Sequence, residues 1–169
     1  MENISAVFSA NVIELRDALG LSQKDFALLA NISAPTLVNI ESGKKSFKVS
    51  SLDGILDFTK ITLQDLSKIN FRPPINFREK LIEIYKDDLS ASVILNKEPS
   101  ISYCVKHKLL NTKFLDTPKE TNEIRLFFEK IGWFFKGNSI HTTLKRMPDL
   151  IEIRKHETKG NTNVYIKKS

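Results

Sequence analysis

A single cysteine, Cys104, leaves the 169-residue chain unable to close an intramolecular disulfide. Three scattered histidines cannot supply a Cys/His zinc cluster. No stretch approaches the roughly 18 apolar residues that a membrane span needs, so no membrane partner is expected. Met1-Glu2-Asn3-Ile4 lacks a basic region followed by an apolar run, so a cytoplasmic protein without a secretory leader is expected. Glycine and proline number six each, with no low-complexity run and no internal repeat. No serine or cysteine stands with a recognisable base and orienting group, and no glycine loop is built to cradle phosphate. The Asp87-Asp88 pair points in two directions on a helix and has no third ligand, which makes it a solvated turn. Catalysis, cofactors and metals are therefore not expected.

What is present is a packed-core composition, 41% hydrophobic and 27% charged, with a net charge of +6. A pI of about 9.4 points to a polyanion as partner. The charge is uneven. Residues 1–70 carry 7 Lys and Arg against 8 Asp and Glu, residues 71–99 carry 5 against 5, and residues 100–169 carry 14 against 7. Such asymmetry indicates separate modules: 1–70, a linker or connector helix over 71–99, and a basic domain over 100–169. Pro73-Pro74, which lacks two backbone donors, marks the expected end of the first.

From about residue 9 to 70 the pattern is a series of short helices with capping signals. Val12, Leu15, Ala18 and Leu19 form one stripe, which Gly20 terminates. Ser22-Gln23-Lys24-Asp25 reads as a capping box for a second helix carrying Phe26, Ala27, Leu29 and Ala30 inward. Asn31 suits a left-handed turn, and Ser33 caps a third helix with Ala34 and Pro35 in its first turn. Leu37 and Ile40 face its core, and Gly43 closes it. Ser50-Ser51-Leu52-Asp53 and Thr62-Leu63-Gln64-Asp65 start two more, burying Leu52, Ile55, Leu56, Leu63 and Leu66. Five helices, the second and third joined by a three-residue turn, make a helix-turn-helix.

The run from Leu15-Arg16 through Leu21-Ser22-Gln23-Lys24-Asp25-Phe26-Ala27 and Ile32-Ser33-Ala34-Pro35-Thr36-Leu37-Val38-Asn39-Ile40-Glu41-Ser42-Gly43-Lys44 resembles the lambda-repressor-like, Cro/CI-type (XRE) DNA-binding family. It departs in Asn31, where the family usually has glycine, and in the short, non-polar Ala34-Pro35. The resemblance implies double-stranded DNA as partner, with the third helix as the reader. Ser33, Ala34, Thr36 and Asn39 are its outward positions, with Pro35 beside them. Asn39 suits adenine, and Ala34 or the Thr36 methyl suits a thymine methyl. The resemblance also implies that Gln23 anchors a backbone phosphate and that Lys44, Lys45 and the amides after Gly43 hold the next ones. Glu41 reads as structural. A homodimer would read half-sites about 34 Å apart.

Over 71–99, Phe77, Leu81 and Ile84 lie at helical spacing with Arg78, Glu79, Lys80, Glu83 and Lys86 between them as exposed positions. This amphipathic helix serves either as a plain connector or to pair two protomers, and Ser90–Leu95 fits a helix or a strand.

Beyond residue 100, Ile101, Val105 and Leu109 form a stripe after Ser100, with Cys104 buried among apolar neighbours. Thr117-Pro118-Lys119-Glu120 reads as a capping box for a helix carrying Ile124, Phe127, Phe128 and Ile131, ended by Gly132. Asn138 or Ser139 caps another with Ile140, Leu144 and Met147 inward, stopped by Pro148. Trp133 and the phenylalanines are expected in the core. Ile151 and Ile153, a polar turn from His156 to Asn161, and Val164-Tyr165-Ile166 form a hairpin.

This order and the pattern Ile131-Gly132-Trp133, Ser139-Ile140, Leu144, Pro148 and Leu150-Ile151 resemble winged helix-turn-helix domains. The resemblance implies a second recognition helix presenting Ser139, His141, Thr142, Thr143, Lys145 and Arg146. It also implies a wing placing Arg154, Lys155, His156, Thr158, Lys159 and Asn161 along DNA. The expected fold is mainly α, a five-helix repressor-like domain followed by a small α+β winged helix. The expected function is a sequence-specific DNA-binding transcriptional regulator. The alternative is an antitoxin-like or adaptor module whose winged half binds a protein or mediates dimerisation.

Overall fold

The computed structural model describes residues 4–44 and 47–168. The protein is mainly helical, with one small antiparallel sheet in its C-terminal part. It divides into two compact units, Met1–Lys97 and Glu98–Ser169.

In the first unit, helix α1 (Ile4–Leu19) starts upstream of the apolar stripe read from Val12 and buries Phe8, Val12, Leu15, Ala18 and Leu19. Gly20 ends it with φ at 65°. Helix α2 (Gln23–Leu29) starts where the Ser22 hydroxyl accepts the Asp25 N–H at 3.1 Å. Asp25 answers by accepting from that hydroxyl at 2.9 Å, not from the Ser22 backbone N–H as a full capping box would require. Asn31 turns the chain with φ at 51°. Ser33 then caps α3 (Ala34–Ser42) by accepting the Thr36 N–H, and left-handed Gly43 closes it. A 3₁₀ turn over Val49–Leu52 leads into α4 (Asp53–Thr59), so the serines expected to cap this helix lie inside the turn. Thr62 caps α5 (Leu63–Leu66). That four-residue helix turns Leu66 fully inward and leaves Leu63, expected in the core, exposed.

Helices α6 (Phe77–Ile84) and α7 (Leu89–Leu95) complete this unit. Phe71, Phe77, Leu81, Ile94 and Leu95 share one core with Val12, Leu15, Phe26, Leu37 and Ile40. Residues 71–97 thus pack as part of the first unit and not as a connector, and Pro73-Pro74 is a bend within it. Arg78, expected in solvent, is buried: its guanidinium donates to the carbonyls of Leu19, of Leu95 (2.6 Å) and of Lys97 (2.7 Å). Leu19 and Leu95 are the last residues of α1 and α7, where carbonyls lack a helical partner, and Lys97 lies just beyond α7. Ile84, at the end of α6, is exposed instead. Ser90–Leu95 is helical, and Asp88 is its cap, accepting the Ala91 N–H at 3.0 Å.

The second unit begins with α8 (Ile101–Cys104), capped by Ser100 and continued by a π turn over Val105–Leu109. Strand β1 (Lys119–Glu120) precedes α9 (Thr121–Lys130), and α10 (Gly137–Lys145) precedes the hairpin β2 (Ile151–Lys155) and β3 (Asn163–Lys167). The sheet order is β1-β3-β2, all antiparallel. Pairing of Lys119 with Tyr165 and Glu120 with Val164 keeps Thr117–Glu120 out of the helix, so Thr117 is not its cap. Glu120 occupies the N-cap, and its N–H donates to the Glu123 carboxylate at 2.8 Å. Helix α10 starts at Gly137 without a side-chain cap, and Asn138 and Ser139 lie in its first turn. The entry is set upstream, where Phe135 packs edge-on against Phe128 with ring centroids 5.3 Å apart. The core gathers Cys104, Val105, Leu109, Leu115, Ile124, Phe128, Ile140, Leu144, Ile151 and Tyr165. Trp133, Phe127 and Phe135 pack on it, while Ile131 and Phe134 are exposed. Helix α9 ends at Lys130, so Ile131 is its C-cap and left-handed Gly132 follows it.

Candidate nucleic-acid interface

The geometry of α2 and α3 is held from below by one carboxylate. Glu41, its side chain 5% exposed, receives Arg16 Nε at 2.6 Å and Arg16 Nη2 at 3.3 Å. Gln23 Nε2 donates at 2.6 Å to Oε2, the oxygen that Arg16 Nη2 also reaches. Arg16 Nη1 also reaches the Leu21 carbonyl at 3.2 Å. One forked contact thus joins α1, the start of α2 and the end of α3, and charge-assisted bidentate pairs are the stiffest of such links. Leu37 and Ile40 of α3 are fully buried in the core of the first unit. Replacing either with alanine removes a core side chain worth about 2–5 kcal/mol.

This framework sets what α3 shows to solvent. Ser33, Ala34 and Pro35 are exposed, and Thr36 and Asn39 are half-buried. The Thr36 and Ser33 hydroxyls bond each other at 2.7 Å, so both are engaged in the cap. The Asn39 side chain makes no hydrogen bond to another described residue, leaving its amide available. Val38, 48% exposed, lies one turn beyond Ala34 on the same open side. Val38 is absent from the outward positions expected of this helix, Ser33, Ala34, Thr36 and Asn39, although the spacing of buried Leu37 and Ile40 puts it outward. Gln23 is exposed and has one amide proton committed to Glu41. Lys44 is exposed, and its N–H points to Ser42 Oγ at 3.4 Å. Lys45 lies outside the described residues.

Near the start of α2, Asp25 accepts from Ser22 and from Lys97 Nζ at 3.1 Å. Burial acts to raise the Asp25 carboxyl, but the hydrogen bonds of Ser22 and Lys97 outweigh it and hold it below the ordinary aspartate value.

The second unit treats its expected site residues unequally. Ser139, Thr142, Lys145 and Arg146 are exposed on α10, and Thr143 is half-buried. Thr142 Oγ1 donates back to the Asn138 carbonyl at 2.8 Å. His141 is not an outward residue: its Nδ1 lies 2.6 Å from the buried Tyr165 hydroxyl, which in turn accepts from Thr121 Oγ1 at 3.3 Å. In the hairpin, Arg154 makes a forked pair with Glu152 at 2.7 and 2.9 Å. Lys159 is ion-paired to Glu120, whose carboxylate also lies 3.4 Å from His156 Nε2. Lys155, Thr158 and Asn161 are exposed. Lys145, Arg146 and Lys155 have no ion-pair partner among the described residues.

Among the described residues no cluster of His, Cys, Asp and Glu is placed to hold a metal ion. No described helix is long and apolar enough to cross a membrane.

Compared with known proteins, residues 12–66 match a family model described as helix-turn-helix, about a third of the chain. No curated protein and no solved structure matches the chain. The matched segment opens within α1 and closes at the last residue of α5, spanning Arg16, Gln23, Glu41 and all of α3. Residues 12–66 are a helix-turn-helix domain of the lambda-repressor-like kind, and the match supports a DNA-binding regulator of that type.

Proposed function

We propose that the protein is a sequence-specific transcriptional regulator that acts by binding double-stranded DNA and carries no catalytic activity of its own. Helix α3 enters the major groove with its N-terminal turn toward the base edges. Asn39 hydrogen-bonds an adenine, and Ala34, Val38 and the Thr36 methyl pack on thymine methyls. Gln23 and Lys44 position the domain on the backbone and carry no sequence information. The observation that carries this reading is the Arg16–Glu41–Gln23 contact, which fixes α3 against α2 while leaving the Asn39 amide free.

The second unit is a winged helix that supplies backbone affinity. The support for this is its element order and its β1-β3-β2 sheet, in which a short strand from between two helices pairs with the second hairpin strand. Lys145, Arg146 and Lys155 are the cations ready for phosphate. Residues 98–169 hold 14 Lys and Arg against 8 Asp and Glu, whereas residues 1–97 hold 12 against 12. Reading and holding are thus divided between the two.

The test is titration of the full chain with duplexes carrying and lacking its selected site, across salt. Asn39→Ala is expected to narrow the gap between the two duplexes by about tenfold, the weight of one good base contact. An unchanged gap would remove Asn39 from the readout.

A further inference from the structure

The carboxylate of Glu120 is placed where the hairpin loop folds back on the start of α9. Its position is fixed from three sides. Its residue pairs with Val164 in the sheet, caps α9, and donates its N–H to Glu123. The carboxylate itself faces the loop, bonded to Lys159 Nζ and 3.4 Å from His156 Nε2. His156 Nδ1 accepts the Thr158 N–H at 3.1 Å, which leaves Nε2 as the nitrogen that faces Glu120. The loop is closed by backbone bonds from His156 N–H to Thr162 and from Thr162 N–H to Lys159, at 2.9 and 3.1 Å. One carboxylate therefore gathers the lysine and the histidine of an otherwise open hairpin loop. Glu157, the other acidic residue of the loop, is exposed and has no ion-pair partner among the described residues.

We infer that Glu120 is the latch of the wing: an internal counter-ion that holds the loop 156–162 and masks Lys159 until a DNA phosphate takes its place. The inference rests on the DNA contact of the second unit and names the residue that regulates it. An exposed ion pair is weak enough for a phosphate to displace it. While it stands, the cation it holds adds nothing to the attraction for DNA. Glu120 is a positioning residue and touches no base or phosphate itself. Its effect is read as the strength and salt dependence of backbone binding.

Full-length Glu120→Gln is expected to bind any duplex about fivefold more tightly, with the slope of log K against log salt steeper by about one. Glu157→Gln gives the effect of removing a nearby carboxylate that holds nothing, and a smaller gain is expected. In a Lys159→Ala background, the Glu120→Gln gain should shrink to that of Glu157→Gln. A gain from Glu120→Gln that is equal with and without Lys159 would overturn the latch. Binding of no duplex by the unaltered chain would instead overturn the regulator reading on which it rests. Lys159→Gln tests the same contact with the α9 cap left intact. Amide exchange over residues 156–162 should quicken by about tenfold, and unchanged exchange would contradict the latch.

Discussion

Gly54 lies inside α4, where a Cβ would collide with the Ala30 carbonyl oxygen. Replacing a mid-helix glycine with alanine ordinarily stabilises by about 0.5–1 kcal/mol. Here Gly54→Ala is expected to destabilise the first unit by about 2 kcal/mol, because the helix must back away from a neighbouring backbone atom. Denaturant unfolding followed by circular dichroism measures the sign. Arg78 is the second such residue. Arg78→Met strips the carbonyls of Leu19, Leu95 and Lys97 of their donor and is expected to cost about 3 kcal/mol. Neither residue stands out in the sequence. Arg78 sits between Phe77 and Leu81 in a helix whose amphipathic pattern assigns it to solvent, and carbonyls 17 to 59 residues away draw it inward. Asn11 is similar, donating to the carbonyls of Leu66 and Lys68 from the interior of α1.

At the scale of elements, the caps that were legible are those whose partners lie within three residues. Ser22, Ser33 and Thr62 each accept the N–H three positions on. Asn31, Gly20 and Gly43 take the left-handed turns that asparagine tolerates and glycine, lacking a Cβ, adopts freely. The local signal fails where sheet pairing or core packing competes with it. Thr117-Pro118 yields to Glu120 because β1 pairs with β3, and Asn138 and Ser139 yield because Phe135 is anchored on Phe128. The start of α2 gives a pH prediction. The Asp25 carboxyl is held below its ordinary value in the folded chain, so its contribution to stability is complete above the unfolded value of about 4. It is lost as the pH falls through the lowered folded value. Asp25→Asn is therefore expected to reduce stability at neutral pH and to flatten the loss of stability on acidification. Thermal unfolding of both proteins between neutral pH and pH 3 measures this. An equally steep decline in the variant would show that Asp25 is not the group responsible.

For the whole molecule, the charge asymmetry was legible at once, and the structure sharpens how it is used. Of the hairpin cations, Arg154 and Lys159 are paired internally, so nominal charge overstates the positive charge left unpaired. Replacing Lys145, Arg146 and Lys155 together by alanine is expected to flatten the salt slope by about three, close to 0.9 for each lost phosphate contact. Preference among sequences should be unchanged, because the proposed division of roles assigns it to the first unit, where 12 basic residues balance 12 acidic ones. The unit boundary was less legible. Pro73-Pro74 looks like a terminus, yet Phe77, Leu81, Ile94 and Leu95 complete the core begun by α1. Apolar residues separated by a turn signal show that they are buried, not against what.

The central claim is that α3 reads DNA sequence, and selection of bound duplexes from a random library by the full-length protein tests it most directly. The account predicts enrichment of a short motif containing an adenine whose identity is relaxed when the selection is repeated with Asn39→Ala. Recovery of no motif above the input library would contradict it.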